Sequence, residues 1–291
     1  MTIDNQPILS QYKIFCETNK PKTQQIAVEY FAIFGGLDIC IDTDMPIYDL
    51  IQKHILKKYK SLRYDINKLT HDEASYSSIL TALALGDRRT NSAFKHTKVS
   101  FDHGIKIVDE LCDLKVLKLE KSLQKFSGID DQYTVSEKLI FISPFVRFWF
   151  AFVSPIFKGI RDGDFDEFRT RYDNRKSVWS YFVFEQLCFE YIRYNIGEKN
   201  IKQIGRYWDD DISIDMLVKT KDGKTIAGCC KYTNSKIKKS ELTLLKERCE
   251  KLRIDVDVYV LFSKKGFTTE LKSLRGEELK LFTVKNFVQM I

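Results

Sequence analysis

Asp215 sits in the apolar run Ile212 to Val218, and the next apolar run closes on Gly228-Cys229-Cys230-Lys231-Tyr232. An aspartate on one strand and a lysine ending the next is a pattern with chemical use. When a second carboxylate stands two residues before the lysine, the two carboxylates hold Mg²⁺ and the ammonium polarises an attacking water. Here that position is Cys229. Mg²⁺ is a hard cation that takes oxygen ligands, whereas a thiol is soft and, with a reference pKa of about 8.5, mostly protonated at neutral pH. Asp215 is then the candidate metal ligand, and alone it is too little to hold the ion. The alternative reading of Cys229 and Cys230 is two small half-buried strand residues, one on each face.

The chain that must position these residues has 291 amino acids, 44% hydrophobic and 30% charged. That is enough for two cored domains, and it excludes the low hydrophobicity of a disordered protein. The seven cysteines are odd in number and irregularly spaced, without a Cys-x-x-Cys. This pattern predicts reduced thiols in a cytoplasmic protein and no zinc site. Met1 to Tyr12 lacks an apolar core of signal-peptide length. Leu139 to Ile160 is strongly apolar but is interrupted by Pro144, Arg147, Pro155 and Lys158, so it predicts buried helix and no membrane span. The four histidines (His54, His71, His96 and His103) all lie in the N-terminal half, which argues against a Ser-His-Asp hydrolase. A formal charge of +7 permits a phosphate-binding face without demanding one.

The periodicity is helical first and mixed later. Helices are expected over Gln24 to Phe34 and over Ile47 to Lys60, the second with a basic end (Lys53, Lys57, Lys58, Lys60, Arg63) that the helix dipole favours as a solvated face. Ser75 to Leu85, Asn91 to Thr97 and Phe101 to Leu114 predict three short helices. A hairpin of Val116 to Glu120 with Gln132 to Val135 then completes a winged helix-turn-helix. The exposed face of its third helix carries Asp102, Asp109, Glu110 and Asp113, which would face a polyanion. Arg88, Arg89, Lys95 and Lys98 offset this only in part, so packing or protein contact suits the module better than reading DNA sequence. Ser154 to Lys176 reads as charged and irregular. Beyond it come a helix over Val178 to Asn195, strands from Ile212 and Thr225 around Lys221-Asp222-Gly223-Lys224, and a Lys/Glu-rich helix over Ile237 to Leu252. A strand over Val256 to Phe262, a helix over Thr269 to Leu274 and a strand over Leu279 to Thr283 follow. This is the order of an α/β sandwich.

Several ordered strings carry a resemblance. They are Phe31-Ala32-Ile33-Phe34-Gly35-Gly36, Tyr76-Ser77-Ser78-Ile79-Leu80 with Leu85-Gly86, Ser143 to Phe150, Phe184-Glu185, Gly205-Arg206-Tyr207-Trp208, Ile214-Asp215 and Gly228 to Tyr232. Together they resemble the region downstream of the ATPase core in the archaeal ATPase family of signal-transduction NTPases. The C-terminal domain of that family, of unknown function, is thought to have a restriction-endonuclease-like fold. The chain has no G-x-x-x-x-G-K-[ST], so ATP hydrolysis is not expected. The family's Glu-Ile-Asp is Ser213-Ile214-Asp215 here, and its Gly-Glu-Cys-Lys-Trp is Gly228-Cys229-Cys230-Lys231-Tyr232.

The resemblance implies an α+β protein: a helical N-terminal region (1–70), a winged helix-turn-helix (71–138), a helical connector (139–176) and a small restriction-endonuclease-like α/β domain (177–291). Its implied catalytic candidates are Glu185, Asp215 and Lys231, with Glu241 as a migrated carboxylate. Lys236, Lys238 and Lys239 beside them are candidate substrate contacts. Two functions follow. One is a nuclease-fold protein with impaired chemistry that binds nucleic acid without sequence preference, or a separate protein partner, and needs no cofactor. The other is an active Mg²⁺-dependent endonuclease in which Glu241 or Glu185 supplies the second carboxylate.

Overall fold

In the computed structural model, which describes residues 6–86, 88–127 and 135–291, helices dominate up to residue 196 and strands after it. The protein is α+β, and its chain divides into two compact units, Met1–Glu120 with Ser136–Ser180, and Lys121–Val135 with Tyr181–Ile291.

The first unit is built from α1 (Ile8–Asn19), α2 (Gln24–Phe34), α3 (Ile47–Ile51), α4 (Tyr59–Thr70), α5 (Ala74–Leu85), α6 (Thr90–Thr97) and α7 (Phe101–Asp113). A two-stranded ribbon of β1 (Leu117–Glu120) and β2 (Lys138–Phe141) follows, then α8 (Pro144–Phe148), α9 (Phe157–Asp162) and α10 (Asp166–Trp179). Thr23 caps α2 by accepting from the Ile26 N–H, which satisfies one of the orphan donors of the first turn. The predicted helix over Ile47 to Lys60 is instead α3 continued by a wide π-turn over Gln52–Leu56.

The ribbon corrects one expectation. β1 pairs antiparallel with Lys138–Phe141, from Leu117↔Phe141 to Glu120↔Lys138. The strand expected over Gln132 to Val135 lies mostly outside the described residues. The apolar stretch from Leu139 thus begins as a strand. It becomes helical only after Ser143, whose hydroxyl caps α8 by accepting from the Val146 N–H, with Pro144 in the first turn. The stretch read as irregular, Ser154 to Lys176, holds a 3₁₀ turn, α9 and most of α10. Here Phe168, Tyr172 and Trp179 are the buried stripe of an otherwise charged helix, and they pack with Phe148 and Phe152 at ring distances of 4.7–6.4 Å.

The second unit is a five-stranded sheet in the order β3 (Ile201–Trp208), β4 (Ser213–Thr220), β5 (Thr225–Lys231), β6 (Val258–Ser263), β7 (Leu279–Thr283). The pairs β3–β4 and β4–β5 are antiparallel, and β5–β6 and β6–β7 are parallel. As the two apolar runs and the turn between them predict, β4 and β5 are antiparallel neighbours, with Met216 opposite Gly228 and Lys219 opposite Thr225. Parallel strands need a crossover; α12 (Lys239–Lys251) supplies it between β5 and β6, and α13 (Thr269–Ser273) between β6 and β7. Leu242, Leu245 and Cys249 of α12 and Leu271 of α13 share one core with Ile214, Leu217, Ala227, Cys229 and Leu261. On the other face lies α11 (Tyr181–Ile196), whose Phe184 and Tyr191 rings meet Tyr232, Phe262 and Phe282 at 4.9–6.0 Å.

A helix on each face makes β5 the most enclosed strand, and its residues from Thr225 to Cys230 are all buried. The residues available to it are small for that reason. A β-carbon on Gly228 would come 3.1 Å from Met216 Cβ and 3.4 Å from the Val260 carbonyl.

Candidate functional site

The centre of the second unit's site is where β4 and β5 diverge. Asp215, on β4, accepts the Cys230 N–H through Oδ2 at 2.9 Å. Burial pushes its carboxyl above the ordinary aspartate value, and the charge of Glu185 adds to the rise. The Cys230 amide, Lys231 and Arg206 work against both.

Glu185 comes from the first two turns of α11 and is buried. It meets the Arg206 guanidinium of β3 at 2.8 Å, with side chains 4% and 7% exposed, and accepts from the Tyr181 hydroxyl at 3.2 Å. The guanidinium also lies 4.6 Å from the centre of the Phe189 ring. A charge taken this far from water survives only with a partner, and here each ion has the other. Burial, with the charges of Asp215 and Glu185 added, raises the Tyr181 phenol so that it remains a neutral donor.

On the α12 side, Lys231 at the end of β5 pairs with Glu241 in the first turn of α12 at 3.1 Å, both side chains about one-third exposed. Burial works to lower the Lys231 ammonium. The carboxylates of Glu241, which also accepts its hydrogen bond, and of Asp215 work the other way, and the ammonium is held above the ordinary lysine value. Cys229 is 7% exposed, in the core shared with Leu245 and Cys249. Burial, with Asp215 beside it, raises its thiol far above the physiological range, so it is protonated. Cys230 faces the other way and exchanges a thiol hydrogen bond with Cys188 of α11, both buried.

The candidate residues therefore fall into two adjoining pairs. Glu185 neighbours Asp215, and Glu241 is held by Lys231. Asp215, Cys229 and Glu241 also line one small hollow of about 10 Å³ together with Leu244 and Arg248. Lys236, Lys238 and Lys239 are exposed in and just after the loop leading to α12, and Lys239 reaches Glu270 at 3.5 Å. Arg206 and Tyr181 were not among the residues expected at the site. The sequence signal for Arg206 was a lone cation next to the buried pair Tyr207 and Trp208, which demands a counter-charge.

The donor set does not suit the Mg²⁺ that the resemblance implies. One Asp215 oxygen takes a backbone N–H, Glu185 is committed to a guanidinium, Glu241 to an ammonium, and the Cys229 thiol carries its proton. Mg²⁺ demands nearly octahedral oxygen ligation and gives up its water reluctantly. Among the described residues, no three His, Cys, Asp or Glu side chains gather as a metal-holding group.

Residues 149–243 match a family described as archaeal and bacterial proteins of unknown function, DUF234. Glu185, Arg206, Asp215, Lys231 and Glu241 all fall inside that stretch. No curated protein and no solved structure matches the chain. No helix among the described residues is long and apolar enough to cross a membrane.

Proposed function

We propose that this chain is a nuclease-fold protein that has lost its metal chemistry and binds nucleic acid through its α/β unit, as the resemblance to the C-terminal region of archaeal ATPases suggests. The observation that carries the reading is the protonated, core-facing Cys229 where a metal-binding glutamate is expected, next to a Lys231 already neutralised by Glu241. A lysine tied to a carboxylate is poorly placed to polarise a water, and a neutral thiol offers Mg²⁺ nothing. What the unit retains is a layered scaffold with exposed lysines at 236, 238 and 239 near the old site. These suit phosphate contact, which needs charge and reach and little geometry.

One observation favours the alternative of an active endonuclease with a migrated acid: Asp215 and Glu241 line the same hollow. A single experiment separates the two. Purified chain is incubated with plasmid DNA and Mg²⁺ or Mn²⁺, and metal binding is followed by calorimetry, for the parent, Cys229→Glu, Asp215→Ala and Glu241→Ala. Impaired chemistry predicts no cleavage by the parent and a gain of Mn²⁺ affinity in Cys229→Glu. Parent cleavage abolished by both Asp215→Ala and Glu241→Ala would establish the endonuclease instead.

A further inference from the structure

Lys236 and Lys238 share their surface with a second loop that none of the preceding assignments uses. The chain leaves β5 through Tyr232 to Lys238 on its way to α12, and leaves β6 through Lys264 to Thr268 on its way to α13. β5 and β6 are neighbouring parallel strands, in register from Ile226↔Val258 to Lys231↔Ser263. Both loops therefore emerge at the carboxyl end of the sheet, one strand spacing of roughly 4.8 Å apart. Beyond the strands they stay tied together. The Lys264 N–H donates to the Lys231 carbonyl at 3.1 Å, the Ile237 N–H to the Gly266 carbonyl at 2.9 Å, and the Thr268 N–H to the Ile237 carbonyl at 2.9 Å, with Ile237 and Phe267 forming a parallel bridge. The second loop is also closed on itself. Ser263 Oγ accepts the Gly266 N–H and donates to the Gly266 carbonyl, both at 2.9 Å, and Gly266 supplies the left-handed φ of 85° that the turn requires.

This bonding sorts the side chains. Ile237 and Phe267 are 3% and 4% exposed, in the core shared with α12 and α13. In extended backbone the residues flanking an inward one point away from it, so Lys236 and Lys238 face solvent on the same side. Lys265 is exposed at the turn of the second loop, and the Lys264 ammonium lies 4.6 Å from the centre of the Tyr232 ring. From Tyr232 to Ser240 and from Lys264 to Thr268 the sequence places five lysines and no acid. The carboxylates in the first turns of the helices that follow, Glu241 and Glu270, are held by Lys231 and Lys239. The outcome is a cationic ledge whose backbone is already ordered, so a ligand meets it without the cost of fixing two loops.

We propose that this two-loop ledge binds the phosphate backbone of double-stranded nucleic acid, with Lys265 as the contact supplied by the loop after β6. The inference rests on the reading of the α/β unit as a nucleic-acid binder and adds the second loop and the form of the ligand. The duplex is favoured over a single strand by the aromatic residues. Indifferent binding of single strands draws on rings that stack with unpaired bases, and the rings of these loops, Tyr232 and Phe267, are 7% and 4% exposed. What the ledge offers is fixed charge. A duplex answers that best, since its two strands together present one phosphate per about 1.7 Å of axis.

The test is fluorescence anisotropy of the full chain with a labelled DNA duplex, and with one of its strands alone, at salt from about 0.05 to 0.2 M. The duplex is expected to bind more tightly than the strand. Lys265→Gln is expected to flatten the duplex's log–log salt slope by about 0.9, the share of one phosphate contact, and Lys265→Arg to restore it. Lys57→Gln, at an exposed lysine of the first unit, should leave the slope unchanged, and each variant should melt like the parent because these side chains are exposed. Phosphatidylserine vesicles at physiological salt should not displace the duplex. The ledge is overturned if Lys57→Gln flattens the slope as much as Lys265→Gln, if the single strand binds more tightly than the duplex, or if the vesicles displace it. A slope kept by Lys265→Gln but flattened by Lys236→Gln with Lys238→Gln overturns the ledge and leaves nucleic-acid binding standing, whereas no binding of either form at low salt overturns both.

Discussion

Glu185 and Arg206 form an ion pair that is stable only as a pair. Removing one partner strands the other in a site where neither is more than 7% exposed. Glu185→Ala is therefore expected to cost about 3–5 kcal/mol in urea unfolding, whereas the double change Glu185→Leu with Arg206→Met should cost much less, because it removes both desolvation penalties. A double-variant cost equal to or above the single one would show that the pair itself supplies net stability. Asp215 makes a prediction of opposite kind. Its carboxyl is raised in the folded state, so the folded protein binds the proton more tightly than the unfolded chain. The stability that protonation confers is fully present below the unfolded value of about 3.9 and is lost as pH rises through the raised folded value. Asp215→Asn keeps an acceptor for the Cys230 N–H and abolishes the titration. It is expected to raise the melting temperature at pH 7 and to lose that advantage as the pH falls towards 4, as read by thermal melts across pH.

Elements differ in how openly their sequences announced them. β4 and β5 were legible because each is a short apolar run and the Asp-Gly between them marks a tight turn, with Gly223 at a φ of 94°. β3 was not read as a strand, since Ile201-Lys202-Gln203-Ile204-Gly205-Arg206 lacks strict alternation and carries a glycine. The reason for that glycine is tertiary. Ser122 and Leu123 run along the outer edge of β3, with the Leu123 N–H on the Arg206 carbonyl at 2.9 Å and Leu123 side-chain carbons about 3 Å from where a β-carbon on Gly205 would be. No local pattern reveals a residue that far away in sequence. α10 was hidden for a different reason: three buried aromatics in fourteen residues are too few to dominate a charged helix. In the site, Asp215 and Lys231 could be placed on strands from sequence, whereas the Glu185–Arg206 pair depends on α11 crossing the sheet. The covered edge gives a test. Ser122 donates to the Trp208 carbonyl at 2.7 Å and accepts the Trp208 N–H at 2.8 Å, closing a β-strand edge that would otherwise invite pairing with another chain. Ser122→Ala should cost about 1–2 kcal/mol and speed amide exchange at Trp208, leaving the amides of β6 protected. Unchanged exchange at Trp208 would remove the latch from the account.

At the scale of the whole molecule, the distribution of charge decides what can be recognised. A formal charge of +7 over 291 residues is a mild attraction, not a steering field. The exposed acids of α7, Asp102 and Asp109 among them, make that helix a poor reader of DNA bases, while the lysines at 236, 238 and 239 are free of such opposition except at Lys239, which shares Glu270. Nucleic-acid binding is therefore expected to be weak, indifferent to base sequence and strongly dependent on salt, because phosphate contacts supply affinity without carrying sequence information. If three lysines each neutralise one phosphate of a duplex, the logarithm of the binding constant should fall with the logarithm of salt at a slope of about −2.7. Fluorescence anisotropy with two unrelated duplexes, at salt concentrations from low to physiological, measures that slope directly. Changing Lys236, Lys238 and Lys239 together to Gln should flatten it by the same amount for both duplexes and leave the melting temperature nearly unchanged, since all three side chains are exposed. A slope unaffected by the triple change would move the contact elsewhere on the molecule, and a pronounced preference for one duplex would show that base edges are being read after all.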